Sequence, residues 1–356
     1  MYNYVYMIKN TFNGIIICIL TSLLSESISV FIGTNILGLE RSPVSPIIIT
    51  IILGALIGNT IPFVQKYNPG FEFSIKYLLK LGIIFLGIRL SISDILLYGL
   101  KGLIVIIPSI FLSIVLAINI RQFFKVSNNL SMLIAVGTSI CGATAIAALA
   151  PSINAKKEEI SYAVANITMF GLIAMFLYPL ISYKVFDNNS LSVGLFLGTS
   201  IHETAQVAGS GMIYSEQYSN PSVLNIATVI KLVRNTLMVL VIPSLAFYSN
   251  KKSKNNSEIK IAKIFPYFIF GFIFFGLLRT IGDQYENHIG AEFWINIKYL
   301  VKQFSELLLL IAMSAVGYNT KIDKIKNLGL KPFYMGSLAA LTVGLVSFSI
   351  IYLFIN

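Results

Sequence analysis

Two short stretches place ionisable and polar side chains within otherwise apolar segments of this chain. One runs from Gly198 through Thr199, Ser200, His202, Glu203, Thr204 and Gln206 to Gly211. It is small, Gly-rich and polar, and long apolar segments flank it. Adjacent His202 and Glu203 in such a setting persist when they face a protein interior or an aqueous cavity. Its glycines let the backbone bend or unwind, which membrane depth tolerates only where that backbone is buried in protein or lines water. The stretch reads as the floor of a solute site, with a polar hinge between helices as the alternative.

The other stretch holds Lys231 and Arg234, three apart and so on one helix face, with Thr228 and Asn235 beside them. Cations at depth pair with anions, and Glu203 is the expected counter-ion. The pair is either structural or one half of an exchange, in which a basic side chain holds an anionic solute in one state and Glu203 in another. Such an exchange would couple solute to protons, and His202 titrates near neutrality when unperturbed.

Further candidates lie upstream. Thr138, Ser139 and Thr144, with Gly137 and Gly142 and closed by Pro151, suit a broken helix whose N-terminus holds an anion. Close helix packing through small residues is the competing reading. Asn166, near Thr168 and Gly171, either lines a cavity or bonds to a neighbouring helix. The candidate substrate-binding set is therefore Thr138, Ser139, Thr144, Asn166, Thr199, Ser200, His202, Glu203, Gln206, Lys231 and Arg234. Arg89 and Asp94 read as interfacial, and Lys80 and Lys302 as snorkelling side chains.

The elements that must position these residues are apolar. Of 356 residues, 56% are hydrophobic and 12% charged, against about 25% charged in soluble domains. Eleven apolar segments recur, at 11–32, 46–65, 74–92, 97–119, 130–151, 159–182, 191–212, 222–248, 262–281, 294–317 and 332–354. The fold class is an all-α polytopic membrane protein of about eleven segments, one integral membrane domain over 1–356. The first segment reads as a retained helix. The polar break from Ser249 to Lys260 offers no core.

With the N-terminus inside and every segment crossing, fifteen Lys and Arg face the cytoplasm and seven face out. This bias places the N-terminus in the cytoplasm and the C-terminus outside. Lys156 and Lys157 then fall outside; if segments five and seven are re-entrant, they move inside.

Two internal echoes point to inverted repeats. Lys76-Tyr77-Leu78-Leu79-Lys80 matches Lys298-Tyr299-Leu300-Val301-Lys302, and Leu86–Ile95 parallels Val316–Ile325. Gly137-Thr138-Ser139-Ile140 matches Gly198-Thr199-Ser200-Ile201. Eleven full spans give the second pair the same orientation, and re-entrant segments oppose them. No simple tandem duplication reconciles the two echoes.

Other classes are excluded on composition or motif. The net charge of +11 sits in short loops, as the positive-inside rule requires, so no nucleic-acid partner is expected. Cys18 and Cys141 lie in apolar segments, so neither a disulfide framework nor a thiolate metal site is expected. The chain carries no P-loop, dinucleotide fingerprint, HExxH or GxSxG. No enzyme, cofactor or metal is expected, and active transport would have to be secondary.

The stretches Leu81–Ile95, Leu133–Glu159, Tyr162–Pro179, Gly198–Gly211 and Thr228–Asn235 resemble the YeiH-like family of bacterial inner-membrane proteins, labelled sulfate exporters. The resemblance implies the cation/proton antiporter and anion transporter superfamily, with inverted repeats, broken helices and alternating access. The expectation is a secondary transporter of a small anion, such as sulfate or another sulfur oxyanion, coupled to H⁺ or Na⁺. A passive anion channel is the alternative, and a homodimer is a compatible assembly.

Overall fold

The computed structural model describes residues 2–36, 45–250, 267–320 and 330–355. Arg41, the basic residues 251–263 and 321–326, and the end of the first echo from Lys321 lie outside them. Every regular element among the described residues is helical. We number them α1 (Tyr2–Phe31), α2 (Pro46–Thr60), α3 (Pro62–Arg89), α4 (Ile92–Phe124), α5 (Asn128–Val136), α6 (Gly142–Leu149), α7 (Lys157–Val185), α8 (Ser190–Ser200), α9 (Thr204–Gln217), α10 (Ser222–Thr236), α11 (Met238–Asn250), α12 (Phe268–Gln284), α13 (Glu286–Ile289), α14 (Ala291–Asn319) and α15 (Leu330–Phe354).

Among the described residues, seven helical stretches are long and apolar enough to cross a membrane. The pair α2 and α3, bent by 111°, adds an eighth if read as one span. These seven include segment five, at 128–153, by length and composition, but the helix contacts show that segments five and seven turn back.

Segment five is a helical hairpin. α5 runs in, a π turn over Gly137–Cys141 follows, and α6 runs back. Ser127, which caps α5 by accepting from Leu130 N, also donates to the Glu159 carboxylate at the start of α7. Both ends of the hairpin are thus at the same end of α7. Gly137 lies against Ile167, ten residues beyond Ser127 on one helix and eight beyond Glu159 on the other, so α5 and α7 run parallel.

Segment seven repeats the design. Asn189 caps α8 by accepting from Leu191 N and Ser192 N. Gly194 lies against Ile226, and Gly198 against Ala227 and Ile230, so α8 and α10 run parallel. Gly211 of α9 returns to Leu224, near the start of α10. Hairpin two therefore begins and ends at one end of α10. It starts beside the C-terminal end of α7, where Phe196 packs on Tyr178 at 5.0 Å and on Phe186 at 5.8 Å. The two hairpins enter from opposite ends. Here the re-entrant reading holds.

The chain divides into two compact units. The first comprises residues 1–95, 212–221 and 268–322. Its core gathers Cys18, Phe71, Ile311, Ala315 and Tyr318. Phe71 stacks on Tyr318 with ring centroids 4.4 Å apart, and Tyr318 bonds to Thr21 at 2.8 Å. α1 crosses α3 at Gly14 and Gly70, where a Cβ on Gly70 would meet the Thr11 carbonyl at 2.4 Å. Such close approach is how helices associate where lipid offers no hydrophobic drive. Arg89 pairs with Glu306, and Asp94 accepts from Ser91 N at the start of α4.

The second unit comprises residues 96–211, 222–267 and 323–356. α4 meets α15 through Ser109 and Ser347 at 3.1 Å. Gly102 of α4 lies against Ile230 of α10, and Gly336 of α15 lies against Asn166 of α7. Ser131 of hairpin one donates to the Ala117 carbonyl of α4, and α15 packs on α8 of hairpin two.

The first echo lies on α3 and α14, mates within the first unit, where Ser305 donates to the Gly82 carbonyl. The second echo lies at the two hairpin turns.

Candidate functional site

The hairpin tips meet on α10. Each tip carries the Gly-Thr-Ser-Ile tetrapeptide at the C-terminal end of its incoming helix, so both present unpaired carbonyl groups to the interior. Unpaired buried carbonyls are costly, and two buried cations satisfy them. Lys231 is 0% exposed and donates to the carbonyls of Ile140 at 2.8 Å, Ile201 at 2.9 Å and His202 at 2.5 Å. Arg234 is 1% exposed; its Nε donates to Ser139 O at 2.6 Å, Nη1 to Thr199 O and to Ile201 O at 3.3 Å, and Nη2 to Thr138 O.

Glu203, the expected counter-ion, lies near enough to act on Lys231 electrostatically, but no salt bridge joins it to Lys231 or Arg234. The ammonium has three donors and all three are used. The cations neutralise the negative ends of two helices instead. Each helix end carries about half a charge, so two C-termini and two N-termini at the tips cancel. What remains is two cations against one carboxylate.

Glu203 turns away from its own helix. It is the N-cap of α9, since Val207 N donates to its carbonyl at 2.9 Å. Its carboxylate reaches across to hairpin one, where Oε1 accepts from Ala143 N at 3.4 Å, the first turn of α6. Gly142, at φ +39°, makes room for it; a Cβ there would lie 2.3 Å from Glu203 Cγ. Gln206 Oε1 accepts from Glu203 N at 3.2 Å, and Gln206 Nε2 donates to Thr168 O at 3.1 Å, tying hairpin two to α7.

Around Glu203 the tips are polar. Thr204 Oγ1 lies 3.4 Å from Cys141 Sγ and accepts from Asn235 Nδ2 at 3.0 Å. His202 is 1% exposed and neither ring nitrogen has a hydrogen-bond partner; Ser200 Oγ and Asn235 Oδ1 also lack one. Ala143, Glu203 and Thr204 stay partly exposed at the rim.

Nine of the eleven candidates therefore gather at one place: Thr138, Ser139, Thr199, Ser200, His202, Glu203, Gln206, Lys231 and Arg234. Several contribute backbone rather than side chain. The Thr138, Ser139 and Thr199 hydroxyls bond back to their own helices, at Ile134 O, Ala135 O and Leu195 O. Thr144 sits on the exposed face of α6. Asn166 is elsewhere: its Nδ2 donates to Pro332 O at 2.9 Å, holding α7 to α15. Sequence reading missed the Ile140 and Ile201 carbonyls, which no side-chain pattern signals. It also passed over Cys141 and Thr204, and placed Asn235 only beside the basic pair, although the three side chains meet at the tips.

Residues 12–336 match the family model described as Conserved hypothetical protein 698. The chain is 30% identical over 341 residues to a UPF0324 membrane protein of Streptococcus agalactiae serotype V, covering 96% of this chain and 97% of that one. It is 31% identical over 345 residues to a UPF0324 membrane protein of Fusobacterium nucleatum, covering 95% and 97%. The chain belongs to this family. A UPF0324 membrane protein of Pasteurella multocida is 35% identical over 302 residues, covering 83% and 84%. No solved structure matches the chain. Membership of the UPF0324 membrane proteins agrees with the apolar helices and makes the protein a multi-pass membrane protein.

Proposed function

We propose that the protein is a secondary transporter of a small anion, with its solute site at the meeting of the two hairpin tips. The observation that carries this reading is the charge balance there: two fully buried cations, one carboxylate, and helix dipoles that cancel. A buried region with surplus positive charge favours an anionic occupant. Opposed re-entrant hairpins support alternating access, because each tip is reached from its own side and the site lies where they touch. A sulfur oxyanion, as the YeiH-like resemblance implies, is the first solute to test, with H⁺ or Na⁺ as coupling ion.

The hairpins also sharpen the proposed orientation. Re-entrance moves Lys156 and Lys157 to the cytoplasmic side and Lys184 to the outer side. The charge count becomes sixteen inside and six outside, which favours a cytoplasmic N-terminus and an outer C-terminus in a bacterial inner membrane.

Reconstitution into liposomes tests the function. Sulfate or sulfite influx should rise when a proton or sodium gradient is imposed and fall to background when it is collapsed. Flux that ignores both gradients and exceeds carrier turnover would make the protein a channel. No flux of any small anion would refute the proposal.

A further inference from the structure

The tips of the second unit hold one feature that anion transport alone does not require: a carboxylate placed where the anion should be. Glu203 belongs to hairpin two, yet its oxygen sits on the N-terminal turn of α6 in hairpin one. That position carries the positive end of the helix dipole and an outward N–H. The bond is long, 3.4 Å, and Lys231 and Arg234 do not hold the carboxylate, since their hydrogens go to carbonyls. The N–H groups of Thr204, Ala205 and Gln206, which Glu203 would cap if it faced its own helix, have no acceptor among the described residues. Independently of the helix ends, the Ser200 hydroxyl at the same tip is 0% exposed and has no hydrogen-bond partner.

We propose that Glu203 is a tethered stand-in for the transported anion. In the anion-free state its carboxylate occupies the α6 N-terminus. A small oxyanion takes that place, against Ala143 N–H, the first turn of α9 and the Ser200 hydroxyl, only after Glu203 takes up a proton and withdraws. One proton then binds with each anion. The inference rests on the transport reading above and names its coupling ion.

The charged and titratable groups facing Glu203 are few. Lys231 approaches from α10, Cys141 lies on hairpin one beside Thr204, and His202 precedes Glu203 in its own tip. α7 contributes the uncharged Thr168. The cations are locked in carbonyl bonds in this state, which leaves Glu203 as the group free to exchange its partner.

The test uses the purified full chain in detergent with sulfate, nitrate and formate, anions that stay ionised across the pH range used. Affinity is measured calorimetrically against pH, and proton uptake with an indicator dye in weak buffer. In the wild type, affinity for whichever probe binds should weaken about tenfold per pH unit as pH rises above the Glu203 titration, with one proton taken up per anion. In Glu203→Gln the affinity should be independent of pH and proton uptake absent. Anion binding by the wild type without proton uptake would overturn this inference and leave the transport reading intact. Undiminished uptake in Glu203→Gln would do the same. No binding of any probe by the wild type would overturn both. The wild-type measurement decides even if Glu203→Gln fails to fold, and Glu203→Asp, which keeps a carboxyl, should retain the proton uptake.

Discussion

Arg234→Ala should be among the most damaging single substitutions in the chain. The guanidinium serves carbonyls from both tips at once: Thr138 and Ser139 on hairpin one, Thr199 and Ile201 on hairpin two. Removing it strands these carbonyls in a buried site and leaves the C-terminal ends of α5 and α8 facing each other with like partial charge. Breaking a buried charged network from one side costs about 3–5 kcal/mol. The expected result is a large fall in the thermal midpoint of the purified protein, together with loss of anion flux. Arg234→Lys separates geometry from charge. A single ammonium has three donors and cannot reproduce a planar fork spanning two tips, so it should recover only part of the lost stability. Full stability and flux in Arg234→Ala would mean that the tips do not depend on this cation.

Gly142→Ala should be comparably severe, for a different reason. Gly142 sits at φ +39° and ψ −127°, between the π turn and α6. Backbone in such a region costs a residue with a side chain about 1–3 kcal/mol. The added methyl would also collide with Glu203, 2.3 Å from Cγ and 2.8 Å from Oε1. Glu203 must then leave the α6 N-terminus, or hairpin one must shift against hairpin two. Flux should fall to background, and the thermal midpoint should fall less than in Arg234→Ala because no charge is stranded. Normal flux in Gly142→Ala would contradict the placement of Glu203 against hairpin one.

Much of this arrangement was legible in the sequence, and the limits have physical causes. Hydropathy located the apolar segments because lipid demands apolar side chains wherever helices run. The two Gly-Thr-Ser-Ile repeats marked both tips, since a helix that stops in mid-membrane needs small residues that let another backbone approach. Lys231 and Arg234 stood out as cations with no business in oil. Hydropathy could not tell a hairpin from a span, because α5 with α6 is as long and apolar as a crossing helix. The deciding contact, Ser127 to Glu159, joins residues 32 positions apart. The partner of the cations was misjudged for a related reason. Side-chain chemistry offers Glu203 as the only nearby carboxylate, whereas a broken helix exposes carbonyls that every residue type carries. Asn166 looked equally fit to line a cavity or tie helices, and only the Pro332 carbonyl on α15 distinguishes the two.

Everything in this account depends on segment five turning back instead of crossing. Single cysteines at Lys125 and Lys156 flank that segment, and the two native cysteines are buried. Labelling with a membrane-impermeant maleimide, applied from one side and then the other of oriented vesicles, should modify both positions from the same side, the cytoplasmic one. Labelling of Lys125→Cys and Lys156→Cys from opposite sides would make segment five a full span, separate the hairpin tips, and contradict the site built upon them.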